Sequence, residues 1–157
     1  MTKNIQELKY VRIKELSTSI VTTNNDQSKK RYSYIELSDG TMLKNVEVQT
    51  ALTAKIESAL TDGTPIDIHI MRVSKNELVI IAVRASDGRL FASNIPKFTL
   101  WLMIFPLILV LAGFPLLLVF GLGLLSWWLA WRVTKNIWIL HKMGNYVRSL
   151  PDAILLD

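Results

Sequence analysis

A chain of 157 residues, half of them hydrophobic, has room for one modest domain and a further element but not for two full-sized domains. It holds no cysteine, which excludes disulfides, thiolate metal sites and cysteine nucleophiles. Its formal charge of +5 divides into a net +3 ahead of a long apolar run and +2 behind it, a mild excess that suits anionic lipid better than a nucleic-acid footprint.

The opening residues, MTKNIQELKYVRIKEL, lack the apolar core of a cleaved signal, so residues 1–97 are expected in the cytosol. Up to Asn94 the hydrophobic pattern has period two. YVRIKELSTSIV (Tyr10 to Val21) sets Val11, Ile13 and Leu16 among polar residues, and RYSYIEL and MLKNVEV flank a turn at Ser38, Asp39 and Gly40. IDIHI places Ile66, Ile68 and Ile70 on one face, SKNE makes a turn, and LVIIAV is apolar on both faces, as in a central strand. A second Ser-Asp-Gly at Ser86 to Gly88 leads into RLFAS. One helix interrupts the strands: TALTAKIESALTDG offers Thr50 as N-cap, Gly63 as stop, and Leu52, Ile56, Ala59 and Leu60 on one face. Three strands, a helix, then two or three strands predict a small β-rich domain, OB-like or a split barrel, over residues 1–97.

From Phe98 to Trp131 no residue is charged, a run of 34. As one helix it would be about 51 Å long at 1.5 Å per residue. A hydrocarbon core of about 30 Å is better matched by two spans divided at Gly113-Phe114-Pro115, about 98–113 and 115–133. Proline at the start of a second helix loses no hydrogen bond. Trp101 follows Lys97, and Trp127, Trp128 and Trp131 precede Arg132, a pairing of aromatic and cation that marks membrane anchors. Positive charge on both flanks predicts a multi-pass inner-membrane protein with cytoplasmic N- and C-termini. No ionisable group lies within the run, which argues against a side-chain ion relay. Gly113, Gly121, Gly123 and Ser126 are read as close helix packing rather than as a pore lining.

In the tail, residues 134–157, Ile137, Leu140, Met143, Val147 and Leu150 occupy one face of an amphipathic helix. His141, Lys142, Asn145, Arg148 and Ser149 occupy the other, and Pro151 ends it. The closing AILLD is apolar enough to dock on something.

Two groups of residues carry possible chemistry. Asp67 and His69, two apart on a strand, have the spacing of an acid/base pair, but no third ligand or nucleophile accompanies them, and a solvated strand face is the reading taken. KKRYSY joins Lys29, Lys30 and Arg31 to Tyr32 and Tyr34, which can bind a nucleotide or anionic lipid by charge and stacking. The chain carries no Walker loop, dinucleotide fingerprint, HExxH or GxSxG. No enzyme activity, catalytic residue, metal or cofactor is expected.

The sequence thus predicts an α+β membrane protein: a small cytosolic β-rich domain with one helix, a transmembrane helical hairpin and an amphipathic C-terminal helix. The expected function is a non-catalytic binding, scaffold or regulatory protein that presents its β domain at the inner membrane as a homo-oligomer. Its partners are the lipid bilayer and further copies, with a nucleotide as the small ligand considered and nucleic acid not expected. The alternative is a ligand-sensing, channel-forming or membrane-disrupting effector.

Overall fold

In the computed structural model, which describes residues 5–24, 27–95, 104–117 and 122–156, the period-two stretches become strands. Five precede the first helix: β1 (Ile5–Val11), β2 (Ile13–Leu16), β3 (Ser19–Asn24), β4 (Gln27–Leu37) and β5 (Met42–Gln49). Helix α1 (Thr50–Asp62) is followed by β6 (Ile66–Ser74), β7 (Glu77–Arg84) and β8 (Leu90–Ser93). Helices α2 (Ile104–Leu117) and α3 (Leu122–Ser149) come next, and β9 (Ala153–Leu156) closes the order.

The strands form one mixed sheet in the order β1-β6-β7-β5-β4-β2, with β3 on β4 and β8 between β7 and β9. β1 and β2 are separated only by Arg12, so the two ends of the path are consecutive segments of chain and the sheet curls into a half-barrel. Most pairs are antiparallel; β5 runs parallel to β7, and β8 parallel to β9. The first parallel pair is possible because α1 carries the chain across, a connection no tight turn can make.

Both Asp-Gly turns form by one device. Gly40 and Gly88 each take φ +82°, open to glycine, while Asp39 accepts the Thr41 N–H at 2.8 Å and Asp87 the Arg89 N–H at 2.9 Å. That bond to Thr41 holds the Asp39 carboxyl below its ordinary range. α1 ends where expected, at Gly63 in the left-handed region, whose N–H returns to the Leu60 carbonyl at 3.3 Å. Its N-cap is Gln49 rather than Thr50, and Gln49 caps with no side-chain bond. Leu52, Ile56 and Ala59 of α1 are buried with Ile35, Val46, Val48, Ile68 and Ile80, and this cluster is the core.

The chain divides into two units, Met1–Asn94 with Val147–Asp157, and Ile95–Tyr146. In the helical unit the Ser126 hydroxyl donates to the Leu109 carbonyl, and the Trp127 indole donates to the Val110 carbonyl at 3.2 Å. Gly123, Ser126 and Ala130 lie buried at intervals of three and four, so small residues mark the packed side of α3.

The membrane architecture read from the sequence is overturned. α2 has 14 residues, about 21 Å at 1.5 Å per residue, against a hydrocarbon core of about 30 Å. α3 has 28 residues, but it continues past Trp131 through Arg132, Lys135, Lys142 and Arg148. Among the described residues no helix is long and apolar enough to cross a membrane. The transmembrane hairpin, the α+β membrane fold class and the multi-pass inner-membrane placement with cytoplasmic termini therefore give way to a half-barrel of mixed sheet with three helices. Run length misled because the described part of the apolar stretch forms a 14-residue helix and the front of a charged one. Gly113, Phe114 and Pro115 lie within α2, and residues 118–121, Gly121 among them, lie outside the described residues. The amphipathic stretch from residue 134 forms the second half of α3. Ile137, Met143 and Val147 are buried as expected, whereas Leu140 is exposed. The AILL segment does dock, as β9.

Candidate functional site

Strand geometry divides the basic-aromatic run of β4 among several neighbours. Lys29 and Arg31 meet Glu47 of β5 at 2.8 and 3.2 Å, and Arg31 also reaches Glu77 at 2.8 Å. Lys30 pairs with Glu57 of α1 at 2.7 Å, and the buried Tyr32 donates its hydroxyl to the same carboxylate at 3.1 Å. Tyr34 donates to Glu15 at 2.7 Å. These five residues thus meet the carboxylates of Glu47, Glu77, Glu57 and Glu15 rather than forming one open basic patch. Burial works against ionisation of Glu47, but its bonds and charge contacts with Lys29 and Arg31 outweigh it and hold the carboxyl low. The Lys30 hydrogen bond does the same for Glu57, ahead of an opposing burial effect.

Of the expected anchors, Lys97 and Trp101 lie outside the described residues. Trp127, Trp128, Trp131 and Arg132 sit on α3, where the Arg132 guanidinium stands 5.3 Å from the centre of the Trp128 ring. Trp138, which the sequence reading passed over, has Lys142 over its ring at 3.5 Å. Both pairs have the i, i+4 spacing that sets two side chains side by side on one helix face.

Asp67 and His69 diverge. The His69 imidazole is buried, with Glu7 Oε1 3.9 Å from its Nε2, so the expected solvated face is not what surrounds it. Burial, opposed by the nearby Glu7, lowers the tendency of His69 to protonate below its ordinary value of 6.5; Asp67 also raises it, while Arg84 and Lys9 lower it. Above about pH 6.5 the imidazole is neutral folded and unfolded. Below that the unfolded chain binds the proton first, so unfolding free energy should fall as pH drops beneath about 6.5. Chemical unfolding across this window should show the slope, and His69→Gln should flatten it. The paired Glu47 and Glu57 contribute in a separate window, where stability is lost as pH falls below their ordinary value of 4.5.

Asp67 organises a groove that the sequence reading missed. β1 carries two residues, Lys9 and Tyr10, between its pairings Leu8↔Ile68 and Val11↔Ile66, where β6 has only Asp67. This is a β-bulge, and it turns Tyr10 into the left-handed region at φ +52° with its ring exposed. Asp67 Oδ1 accepts the Tyr10 N–H at 2.9 Å, and Oδ2 faces Arg84 Nε at 3.7 Å across the strand pair. Arg84 also donates to the Gly88 carbonyl at 3.3 Å. From there two depressions share Arg84 and Gly88. One, about 180 Å³, is bounded by Tyr10, Pro65 and Asp67; the other, about 400 Å³, by Asp87, Arg89, Leu90, Pro151, Asp152 and Ile154. Among the described residues Tyr10, Asn45 and Asp152 are the non-glycine positions with positive φ, and two of the three line this groove.

Backbone held in a sparsely populated region marks places where structure is constrained by more than packing. Here the strained Tyr10 sets an exposed phenol ring at one end, and two guanidiniums, Arg84 and Arg89, line the groove beside it. Such an arrangement can stack a flat group on Tyr10 and take an anionic group by fork geometry. Asp67 and Asp87 balance the two arginines, at 3.7 and 3.6 Å, so binding would exchange internal pairs for external ones. No protein-family model matches the chain, and no curated protein matches it.

Proposed function

We propose that the chain is a non-catalytic binding or scaffold module, in which the β unit carries the recognition groove and the helical unit joins copies into an oligomer. The observation that carries this reading is the surface of the helices. Phe105, Leu107, Ile108 and Leu111 of α2, with Leu124, Leu125, Trp128 and Trp131 of α3, are each more than half exposed. Covering a large apolar side chain is worth about 1.5–3 kcal/mol. Eight of them, already partly covered in the single chain, supply a gain of the same order as the estimated 4–15 kcal/mol lost on association. Apolar patches of this extent mark interaction surfaces. Sedimentation of the full chain without detergent should show concentration-dependent self-association, and Leu125→Lys with Trp131→Lys should shift it strongly toward monomer. A wild-type monomer at every concentration would end this reading.

The Trp128/Arg132 and Trp138/Lys142 pairs favour a second reading, contact with a lipid surface without crossing it, since a flat amphipathic ring beside a cation suits the headgroup boundary. Flotation with anionic vesicles tests it. Loss of flotation in Trp128→Ala with Trp138→Ala supports the reading, and the absence of wild-type flotation would exclude it.

A further inference from the structure

β8 is buried along its length, and one of its edges is covered by the last strand of the chain itself. The cover is slight. β9 pairs in parallel through four positions, Leu90↔Ala153 to Ser93↔Leu156, with one further bond from the Asn94 N–H to the Leu156 carbonyl at 3.0 Å. Ile154 and Leu155 are exposed even when docked. To reach this place the chain must close a loop through residues 94–152, which costs entropy and returns these pairings and the packing of Leu156 against the core.

The hinge is short. α3 ends at Ser149 and β9 begins at Ala153, so Leu150, Pro151 and Asp152 make the whole turn. Pro151 has a fixed φ, and Asp152 is forced to φ +57°. A short hinge under strain is the condition that invites exchange of a terminal element, because the exchanged state keeps every strand contact and lets the hinge extend.

We propose that β9 is an exchangeable strand: residues 153–156 of one copy pair with β8 of a second copy in the register seen within one chain. This goes beyond the helical association proposed above and does not need it, since the exchanged strand is itself a link.

The absence of native cysteine makes the test clean. Two single-cysteine full-length variants, Ala92→Cys and Leu155→Cys, occupy paired positions, and Ala92 is fully buried, so only a strand lying on β8 can reach it. The two variants are co-expressed with tags of different mass and then oxidised. Strand exchange predicts a disulfide between the two kinds of chain, reduced several-fold by Asp152→Gly, which removes the hinge strain at φ +57°. A disulfide that forms readily within one chain carrying both Ala92→Cys and Leu155→Cys, but never between the single variants, would overturn the proposal. No disulfide in either case would also overturn it, because β9 would not lie on β8. Since the readout is strand pairing rather than particle size, failure of helical association leaves it unaffected.

Discussion

Ile56→Ala is expected to destabilise the β unit by about 2–5 kcal/mol, the range for removing a buried Ile side chain whose cavity closes incompletely. Ile56 is fully buried on the inner face of α1, in the same cluster as Ile35, Val48, Ile68 and Ile80. α1 packs against strands from both halves of the half-barrel, β2, β4 and β5 on one side of the sequence and β7 and β8 on the other. A void beneath Ile56 is therefore bordered by several strands that cannot all move inward at once. The helix gains a few tenths of a kcal/mol from alanine's better propensity, too little to offset the loss. Urea unfolding of the variant beside Ser58→Ala, on the exposed side of the same helix, separates packing from propensity.

Tyr32→Ala should cost a comparable amount, about 3–5 kcal/mol, whereas Tyr32→Phe should cost about 1 kcal/mol. The ring is buried in the core cluster, and only the hydroxyl reaches Glu57. Burial, and then the charge of Glu57, push the phenol well above its ordinary range, so it stays a neutral donor at any working pH. Removing the hydroxyl leaves Glu57 its 2.7 Å pair with Lys30, which is why phenylalanine is tolerated. A residue whose work was to stack a ligand would show the opposite pattern, lost binding with unchanged unfolding. Unfolding measurements on both variants decide between the two roles.

Local features of the fold were legible where one segment determines them. The alternation of β4 and β5 around Asp39-Gly40 and the glycine stop at Gly63 depend only on neighbours in the chain, and both appear in the structure. The dependence of β9 on β8 was half legible: the apolar terminus showed that it would dock, but its register is a tertiary matter. The division of the apolar run was not legible. Length and proline chemistry pointed to Gly113-Phe114-Pro115 as a turn, yet α2 runs through them to Leu117 and α3 carries its apolar start into a charged second half. Counting uncharged residues measures hydrophobicity but does not say where helices begin. The groove was hidden for another reason. Tyr10, Asp67, Arg84 and Asp152 come from four distant segments, and a β-bulge with one carboxylate bond brings the first three together. A sequence signal existed in the two-residue gap that shifts β1 against β6, but only pairing makes a bulge visible.

The claim that the helical surface is covered by other copies is tested most directly by thiol accessibility. In a single chain Leu107 of α2 and Met42 of β5 are similarly exposed, 58% and 48%. With no native cysteine to interfere, Leu107→Cys and Met42→Cys can be labelled separately in the full chain in lipid- and detergent-free solution. The thiol at 107 is expected to react several-fold more slowly than the thiol at 42, with protection lost on dilution. Equal rates at every concentration would show the helical face open to water and contradict this claim.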